Sequence, residues 1–316
     1  MKLAILVFSK ERKELQPGTQ MIFDSMIKRG HTVDVICERD LQIRFNGKTK
    51  ILHRGYPLPK YDAIFVRPLF NHDPSIHSAV IRQFELNGRL VINGYLGVHR
   101  AKNKIRTLQL LAHHNLPMPK TTLLFDEEHL KVTLKDFKFP VVVKAAYGSG
   151  GSGIFICETQ RAVAPVVEHL LKDNNTSNDP IKIQEYISEA KGKDLRLFVV
   201  GKKVVATMER KAKKGEFRAN FHKGGSVKGI TPTKKEERLA IAAAREMGLN
   251  LAGVDILRSK TGPLILEVNS APGLEGITLA TGVDIAGEVV KYIEQKVKKN
   301  RGKKKLKEHV SKKSEA

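Results

Sequence analysis

The sequence predicts an α/β fold that becomes α+β in its C-terminal part, on three observations. Strand-length apolar runs alternate with helix-period segments through residues 1–95, the pattern of a parallel sheet with crossover helices. Residues 253–269 read as two strands around a tight turn, which is antiparallel pairing. Thr233-Lys234-Lys235-Glu236 opens a helix with a capping box.

In chain order, Leu3–Val7 and Thr32–Ile36 are strands, and Gln20–Arg29 between them has helical spacing at Met21, Ile22 and Met26, ending at Gly30. Ala63–Val66 and Leu90–Ile92 are further buried strands. Ala101–His113 has helical spacing at Ile105, Leu108 and Leu111, and Pro117 and Pro119 stop it. Pro140–Lys144 is a strand that runs into a Gly/Ser loop, Gly148–Gly153. A helix resumes over 162–172, and the polar run 173–180 is a surface loop. Strands are expected at 181–187, 195–200, 203–209, 253–258 and 263–269. The capped helix runs through Met247 to Gly248, and a last helix covers 284–297. From Lys298 to Ala316 there are nine basic and two acidic residues with little apolar, so that tail is expected to be disordered.

At roughly 100–200 residues per domain, 316 residues suggest two or three domains. The texture divides the chain into 1–95, 96–180, 181–297 and the tail 298–316. With 41% hydrophobic residues and 25 Gly plus 13 Pro, collagen-like and wholly disordered classes are excluded. A net charge of +23 bears on partners and steering, not on fold. Two cysteines without a CxxC leave no zinc-ribbon or disulfide framework. No apolar run approaches the roughly 18 residues of a membrane span, and Leu3–Phe8 is too short for a signal segment. The expectation is a cytoplasmic protein without a membrane partner.

The chemistry is read first from Gly253–Asn269. A three-residue turn, Lys260-Thr261-Gly262, makes Ser259 face Pro263, Ile256 face Leu266, Asp255 face Glu267 and Val254 face Val268. The two carboxylates then share one face, and Asn269, two residues past Glu267, shares it too. Facing like charges are destabilising and call for a cation. Two carboxylates and an amide oxygen are hard ligands suited to Mg²⁺ or Mn²⁺. A solvated hairpin with polar residues outward is the competing reading, and a one-residue slip would reverse the faces.

Gly148-Ser149-Gly150-Gly151-Ser152-Gly153 fits GxGxxG. It lies mid-chain rather than in a first βα turn, no Lys-Ser/Thr follows it, and Lys144 precedes it, so dinucleotide, P-loop and kinase readings fail. What remains is a side-chain-poor lid whose N–H groups can wrap phosphates, with Lys144 to neutralise their charge; a plain linker and a snorkelling lysine are the alternatives. Gln184-Glu185-Tyr186-Ile187, Asp194, Arg196, Glu209-Arg210 and Phe217–Phe221 are further polar positions in apolar context. Arg67, after a strand and before Pro68, reads equally as a contact for an anionic substrate or as structural.

Taken together these strings resemble a known family. Lys104 in a helix, Val141-Val142-Val143-Lys144, the glycine lid, Gln184–Ile187 and Asp255 with Glu267-Val268-Asn269 are similar to the ATP-grasp ligases. Lys104–Leu111, Glu209–Ala212, Phe217–Asn220, Ala252–Arg258 and Ser270–Ile277 resemble the RimK-type ribosomal-protein glutamate ligases. The resemblance spans about residues 1–296. It implies an ATP-grasp architecture: an N-terminal parallel-sheet domain, a small lobe with the lid and a large lobe with the metal site. It implies that Lys104, Lys144 and the lid glycines Gly148, Gly150 and Gly151 contact ATP phosphates. By the same resemblance Gln184, Glu185, Tyr186, Ile187 and Asp194 hold the nucleoside, and Arg218, Ala219 and Asn220 line the nucleotide site. Asp255, Glu267 and Asn269 would hold Mg²⁺ or Mn²⁺, as two ions, with Lys144 and Arg210 the catalytic cations.

The implied activity activates a carboxylate with ATP and joins it to an amine, with glutamate added to the C-terminus of the sixth small-subunit ribosomal protein. Other acceptors are an amino-group carrier protein, a deazaflavin cofactor or free glutamate. A non-catalytic RNA- or ribosome-binding protein is the reading from another class, with nonspecific nucleic-acid contact through the basic tail. A homo-oligomer is compatible with the sequence.

Overall fold

The computed structural model describes residues 1–8, 15–47, 49–69, 74–145, 153–173, 180–213 and 225–314. The glycine loop 146–152 and residues 214–224, with Arg218, Ala219 and Asn220, lie outside them.

The first ninety residues contain β1 (Lys2–Val7), α1 (Pro17–Lys28), β2 (Thr32–Cys37), β3 (Leu41–Arg44), β4 (Lys50–His53), β5 (Tyr56–Pro57), β6 (Ala63–Arg67) and α2 (Pro74–Leu86), and β7 (Val91–Ile92) follows. Strands β2-β1-β6-β7 form a parallel sheet in that order. Its central strands are apolar throughout because both faces are covered: Leu3–Leu6 and Ala63–Val66 are all buried. Strands β3–β5 make a small antiparallel sheet that the sequence pattern did not reveal.

The helix expected over 101–113 is two helices, α3 (Tyr95–Lys102) and α4 (Lys104–His113). Asn103 separates them: it is extended, and its side chain accepts from the amides of Ile105 and Arg106. An asparagine at this point competes for backbone donors and restarts the helix as an N-cap. That break fixes Lys104 on the first turn of α4.

A second layer holds β8 (Thr121–Leu124), α5 (Leu130–Leu134), β9 (Val141–Ala145), β10 (Ile154–Cys157), α6 (Gln160–Asp173) and β11 (Ile181–Glu185), with sheet order β10-β9-β11-β8, all antiparallel. Val141, Val143, Ile181 and Ile183 pack against Leu130, Leu134, Val163 and Val167. The alternate residues Val142, Lys144, Lys182 and Gln184 therefore share the other face.

The third layer has β12 (Lys193–Val200), β13 (Lys203–Lys211), β14 (Ser226–Gly229), α7 (Lys234–Met247), β15 (Leu251–Ser259), β16 (Gly262–Asn269), α8 (Glu275–Thr281) and α9 (Ile285–Ser314). The five-stranded sheet runs β14-β13-β12-β15-β16. Helix α7 has the expected box: Thr233 Oγ1 accepts from the Glu236 amide, and Glu236 accepts from the Thr233 amide. It ends on Gly248 at φ 77°, a conformation that costs glycine nothing. Its apolar stripe covers Leu195, Leu197, Val199, Val254 and Ile256 on one side of the sheet. On the other side Phe198, Val200 and Met208 join Leu3, Ile5, Ile22 and Met26 of the N-terminal layer and Ile285, Val289 and Ile293 of α9 in one core.

Helix α9 corrects the expectation for the tail. It does not stop at 297 but continues to Ser314. Lysine is a good helix former, and the turns anchored by buried Ile293 and Val297 supply the nucleus that an isolated segment lacks. Low hydrophobicity argues against a core of its own, not against an extension of an anchored helix. Among the described residues no helix is long and apolar enough to cross a membrane.

Candidate active site

The hairpin β15–β16 carries the two carboxylates as expected. Asp255 pairs with Glu267, Val254 with Val268 and Gly253 with Asn269. The route to that register differs from the expectation. Ser259 pairs with Gly262 and Arg258 with Pro263, so the turn is Lys260-Thr261, one residue shorter. Ile256 pairs with Ile265, not with Leu266, and the register shifts between Asp255 and Ile256. Leu266 is the extra residue of a β-bulge, and it restores the offset that the shorter turn removes. Without it the carboxylates would lie on opposite faces.

Asp255 is 2% exposed and lies in a row of charges across β12, β13 and β15. Arg196 Nε and Nη2 donate to its two oxygens at 2.7 Å each. Arg210 Nη2 donates to Asp255 Oδ2 at 2.8 Å, and the same guanidinium donates to both oxygens of Asp194 at 2.6 and 2.9 Å. These are charge-assisted fork contacts, the strong kind. Burial resists ionisation of Asp255, but Arg196 and Arg210 outweigh it and hold the carboxyl below its usual range. Arg210 between two carboxylates is held above its ordinary value against its burial. Burial pushes Asp194 up to about 6 against the pull of Arg210, and the charge of Asp255 adds to the rise. The structure therefore places Asp194 in this charged row with Arg210, rather than on the face that carries Gln184.

Within reach of Glu267, the small-lobe sheet presents cations. Lys144 pairs with Lys182 across β9 and β11. Lys144 Nζ donates to Gln184 Oε1 at 2.9 Å; Gln184 Nε2 donates to Thr121 Oγ1 at 2.8 Å, which donates to the Pro119 carbonyl at 2.8 Å. That chain fixes which way the buried amide points. Burial pushes Lys144 down to about 7; the charges of Lys182 and Lys104 push the same way, and Glu267 opposes them. Burial also brings Lys182 down to about 8, as it does Lys102, and both feel Glu267. Lys102, Lys144 and Lys182 thus all feel the exposed Glu267, and the charge of Lys104 reaches Lys144 and Lys182, an excess of positive charge suited to a polyphosphate. Half-buried Leu123, Ile154 and Ile156 share the face of Lys144 and Gln184 by register and form an apolar platform beside it.

Lys102 and Lys182 were missed by sequence reasoning. The signal was present for Lys182: in Ile181-Lys182-Ile183-Gln184 a two-residue period puts the lysine with the glutamine and opposite the isoleucines. Glu185 is exposed; its carboxylate accepts from the Lys120 amide at 3.3 Å. Ile187 is buried and Tyr186 half-buried just past the end of β11.

The residues expected to bind a metal fit one by their chemistry. Asp255 Oδ1 accepts from Arg196 alone and keeps lone-pair capacity, whereas Oδ2 already accepts from both Arg196 and Arg210; Glu267 is exposed, and among the described residues the buried Asn269 Nδ2 has no hydrogen-bond partner, so no hydrogen bond from that nitrogen fixes the orientation of its amide. The offered set is all oxygen, as hard divalent cations require.

Comparison with known proteins places this geometry in context. The RimK-like ATP-grasp domain family matches residues 101–293, and the RimK PreATP-grasp domain family matches residues 1–97. A relative from Vibrio vulnificus (strain YJ016), named "Probable alpha-L-glutamate ligase", is 41% identical over 308 residues, covering 95% of this chain and 97% of the relative. One of the same name from Shewanella loihica is 40% identical over 307 residues, with the same coverage. Among solved structures, the ATP-grasp ligase PsnB complexed with minimal precursor, Mg and ADP is similar at TM-score 0.71 and 19% identity, covering 94% of this chain and 98% of that one. The D-alanine-D-alanine ligase from Coxiella burnetii is similar at TM-score 0.69 and 14% identity, covering 98% and 99%.

Proposed function

The chain belongs to the RimK-like ATP-grasp family of ATP-dependent ligases, and from that membership we propose that it joins glutamate to the C-terminus of a protein, the sixth small-subunit ribosomal protein. One observation carries the reading: Lys102, Lys144 and Lys182 gather around Glu267, with Lys104 beside Lys144 and Lys182, and a bulged hairpin pairs Glu267 with Asp255 on one face. Such an arrangement suits a triphosphate held with a divalent ion.

A carboxylate reacts poorly with an amine because its oxygen leaves poorly. Transfer of the γ-phosphoryl group to it gives an acyl phosphate; amine attack then expels phosphate and forms the amide. Lys104, Lys144 and Lys182 offset phosphate charge, which is the larger part of catalysis for such a transfer. Gln184, fixed by Lys144 and Thr121, offers an amide edge to the base beside the apolar platform. Arg210 locks Asp194 and Asp255 to each other, so that Asp255 cannot rotate away. Asp255, Glu267 and Asn269 would hold Mg²⁺ or Mn²⁺, which neutralises phosphate oxygens when bound. Gly148, Gly150 and Gly151, with Arg218, Ala219 and Asn220, belong to the same site in this reading.

A peptide acceptor is favoured over small acceptors because solved neighbours of this fold, PsnB and the macrocyclase MdnC, are described with precursor peptides. The test is mass spectrometry of the ribosomal protein after incubation with ATP, Mg²⁺ and glutamate. The expected result is a ladder of glutamate-sized mass increments that requires both ATP and metal. An unmodified protein, with ADP released instead by a carrier protein or by free glutamate, would move the activity to that acceptor.

A further inference from the structure

The N-terminal sheet has a feature that the nucleotide site does not use. Its order β2-β1-β6-β7 places a topological switch point between β1 and β6, and ligands of open α/β sheets bind outside the carboxyl ends of the strands there. Val7 and Arg67 are the paired last residues of those strands. Arg67 is 4% exposed. Its Nε donates to Thr19 Oγ1 at 3.1 Å and its Nη1 to the Pro272 carbonyl at 3.2 Å. Both acceptors are neutral, and among the described residues no carboxylate forms an ion pair with it. A buried guanidinium without a carboxylate partner is costly to maintain and is matched by an anion brought from outside.

A second charge meets it at the same spot. A Cβ built on Gly18, in the first turn of α1, would stand 3.2 Å from the Leu274 amide nitrogen, 3.6 Å from Arg67 Nη2 and 3.7 Å from a carboxylate oxygen of Glu275. The carboxyl end of β6 and the first residue of α8 thus bring opposite charges to one glycine, and among the described residues Arg67 and Glu275 form no ion pair with each other although the charge of Glu275 acts on Arg67. No acidic side chain sits in the first turn of α1, and Gln16 gives its amides no side-chain cap. Lys102 carries the positive field from Arg67 on to Glu267, so the spot adjoins the phosphate site. Burial has pushed Arg67 down to about 10, and Glu275 is the charge that opposes the fall.

We propose that Arg67 and Glu275, facing each other beside Gly18, are the two poles of an amino-acid site, Arg67 taking the carboxylate and Glu275 the ammonium of the glutamate to be joined. The identity of that amino acid rests on the proposed function; the site itself rests on the geometry. The bidentate fork of Arg67 suits a carboxylate better than a lysine would, and Lys102, whose charge is felt together with that of Arg67, adds positive charge for a second, side-chain carboxylate.

The test is a titration of the full chain, with ATP analogue and Mg²⁺ present, by each of the twenty amino acids, followed by the same titration of Arg67→Gln, Arg67→Lys and Glu275→Gln. The expected result is glutamate binding that weakens about tenfold or more in each variant, while ATP-analogue affinity and thermal midpoint stay near those of the parent. Arg67→Lys keeps the charge and guards against a variant that fails to fold. If another amino acid binds and is lost in the same variants, the site stands and glutamate falls. If glutamate binds Arg67→Lys and Glu275→Gln as tightly as the parent, or if no amino acid binds the parent, the site is wrong. Glutamate-dependent ADP release by the parent then judges the ligase reading separately.

Discussion

Lys144 sits on a buried strand with a neutral amide for a partner, so its charge is expensive until an anion arrives. In the unfolded chain a lysine keeps its proton to about pH 10.5, whereas burial brings Lys144 to about 7 and Lys102 and Lys182 to about 8. The unfolded state therefore binds more protons above pH 7, and these groups make stability of the ligand-free protein rise with pH through that window. A triphosphate reverses the cost. At pH 8, ATP binding is expected to take up protons, read by calorimetry in buffers of different ionisation heat; no uptake would contradict the placement. Lys144→Met is expected to abolish ADP formation while flattening the rise in stability with pH. Arg210→Met differs: it leaves two buried carboxylates without their shared cation and is expected to lose about 3–5 kcal/mol of stability, seen as a lower denaturant midpoint even without ligands.

The hairpin shows how far an element can be read from its sequence. The expectation put both carboxylates on one face through a three-residue turn, and the alternation in Val254-Asp255-Ile256 and Leu266-Glu267-Val268 agrees with that placement, because one face must be buried. The turn length and the Leu266 bulge were not legible, since an apolar residue at a bulge looks like any strand residue; the two differences cancel at Asp255 and Glu267. Deleting Leu266 removes the compensation. It is expected to abolish metal-dependent ADP formation, whereas Leu266→Ala, which keeps the residue count, retains much of it; equal activity of the deletion would refute the bulge's role. The capping box of α7 was legible outright, its residues having few other uses in that order. Thr233→Ala is expected to cost about 1 kcal/mol, measured as a shift in the denaturant midpoint. The break at Asn103 was not legible, because helical spacing continues on both sides of it.

Across the whole molecule the parallel sheet was foreseeable from strand–helix alternation, while the shared core was not: Leu3 and Ile5 meet Phe198 and Ile293 only through folding of distant segments. The convergence of Lys102 and Lys182 on Glu267 was hidden for the same reason. Helix α9 extends past that core, with Arg301 tied to Asp62 at 2.6 Å. Ending the chain after Val297 is expected to leave ADP formation near that of the full chain and to weaken salt-sensitive RNA binding, checked by steady-state turnover and filter binding. The account as a whole depends on a divalent ion at the hairpin. The most direct measurement is anomalous diffraction from crystals grown with Mn²⁺ and a nonhydrolysable ATP analogue. A peak at about 2.0–2.3 Å from oxygens of Asp255, Glu267 and Asn269, bridging to the phosphates, is predicted; phosphates bound with no peak between those three side chains would contradict it.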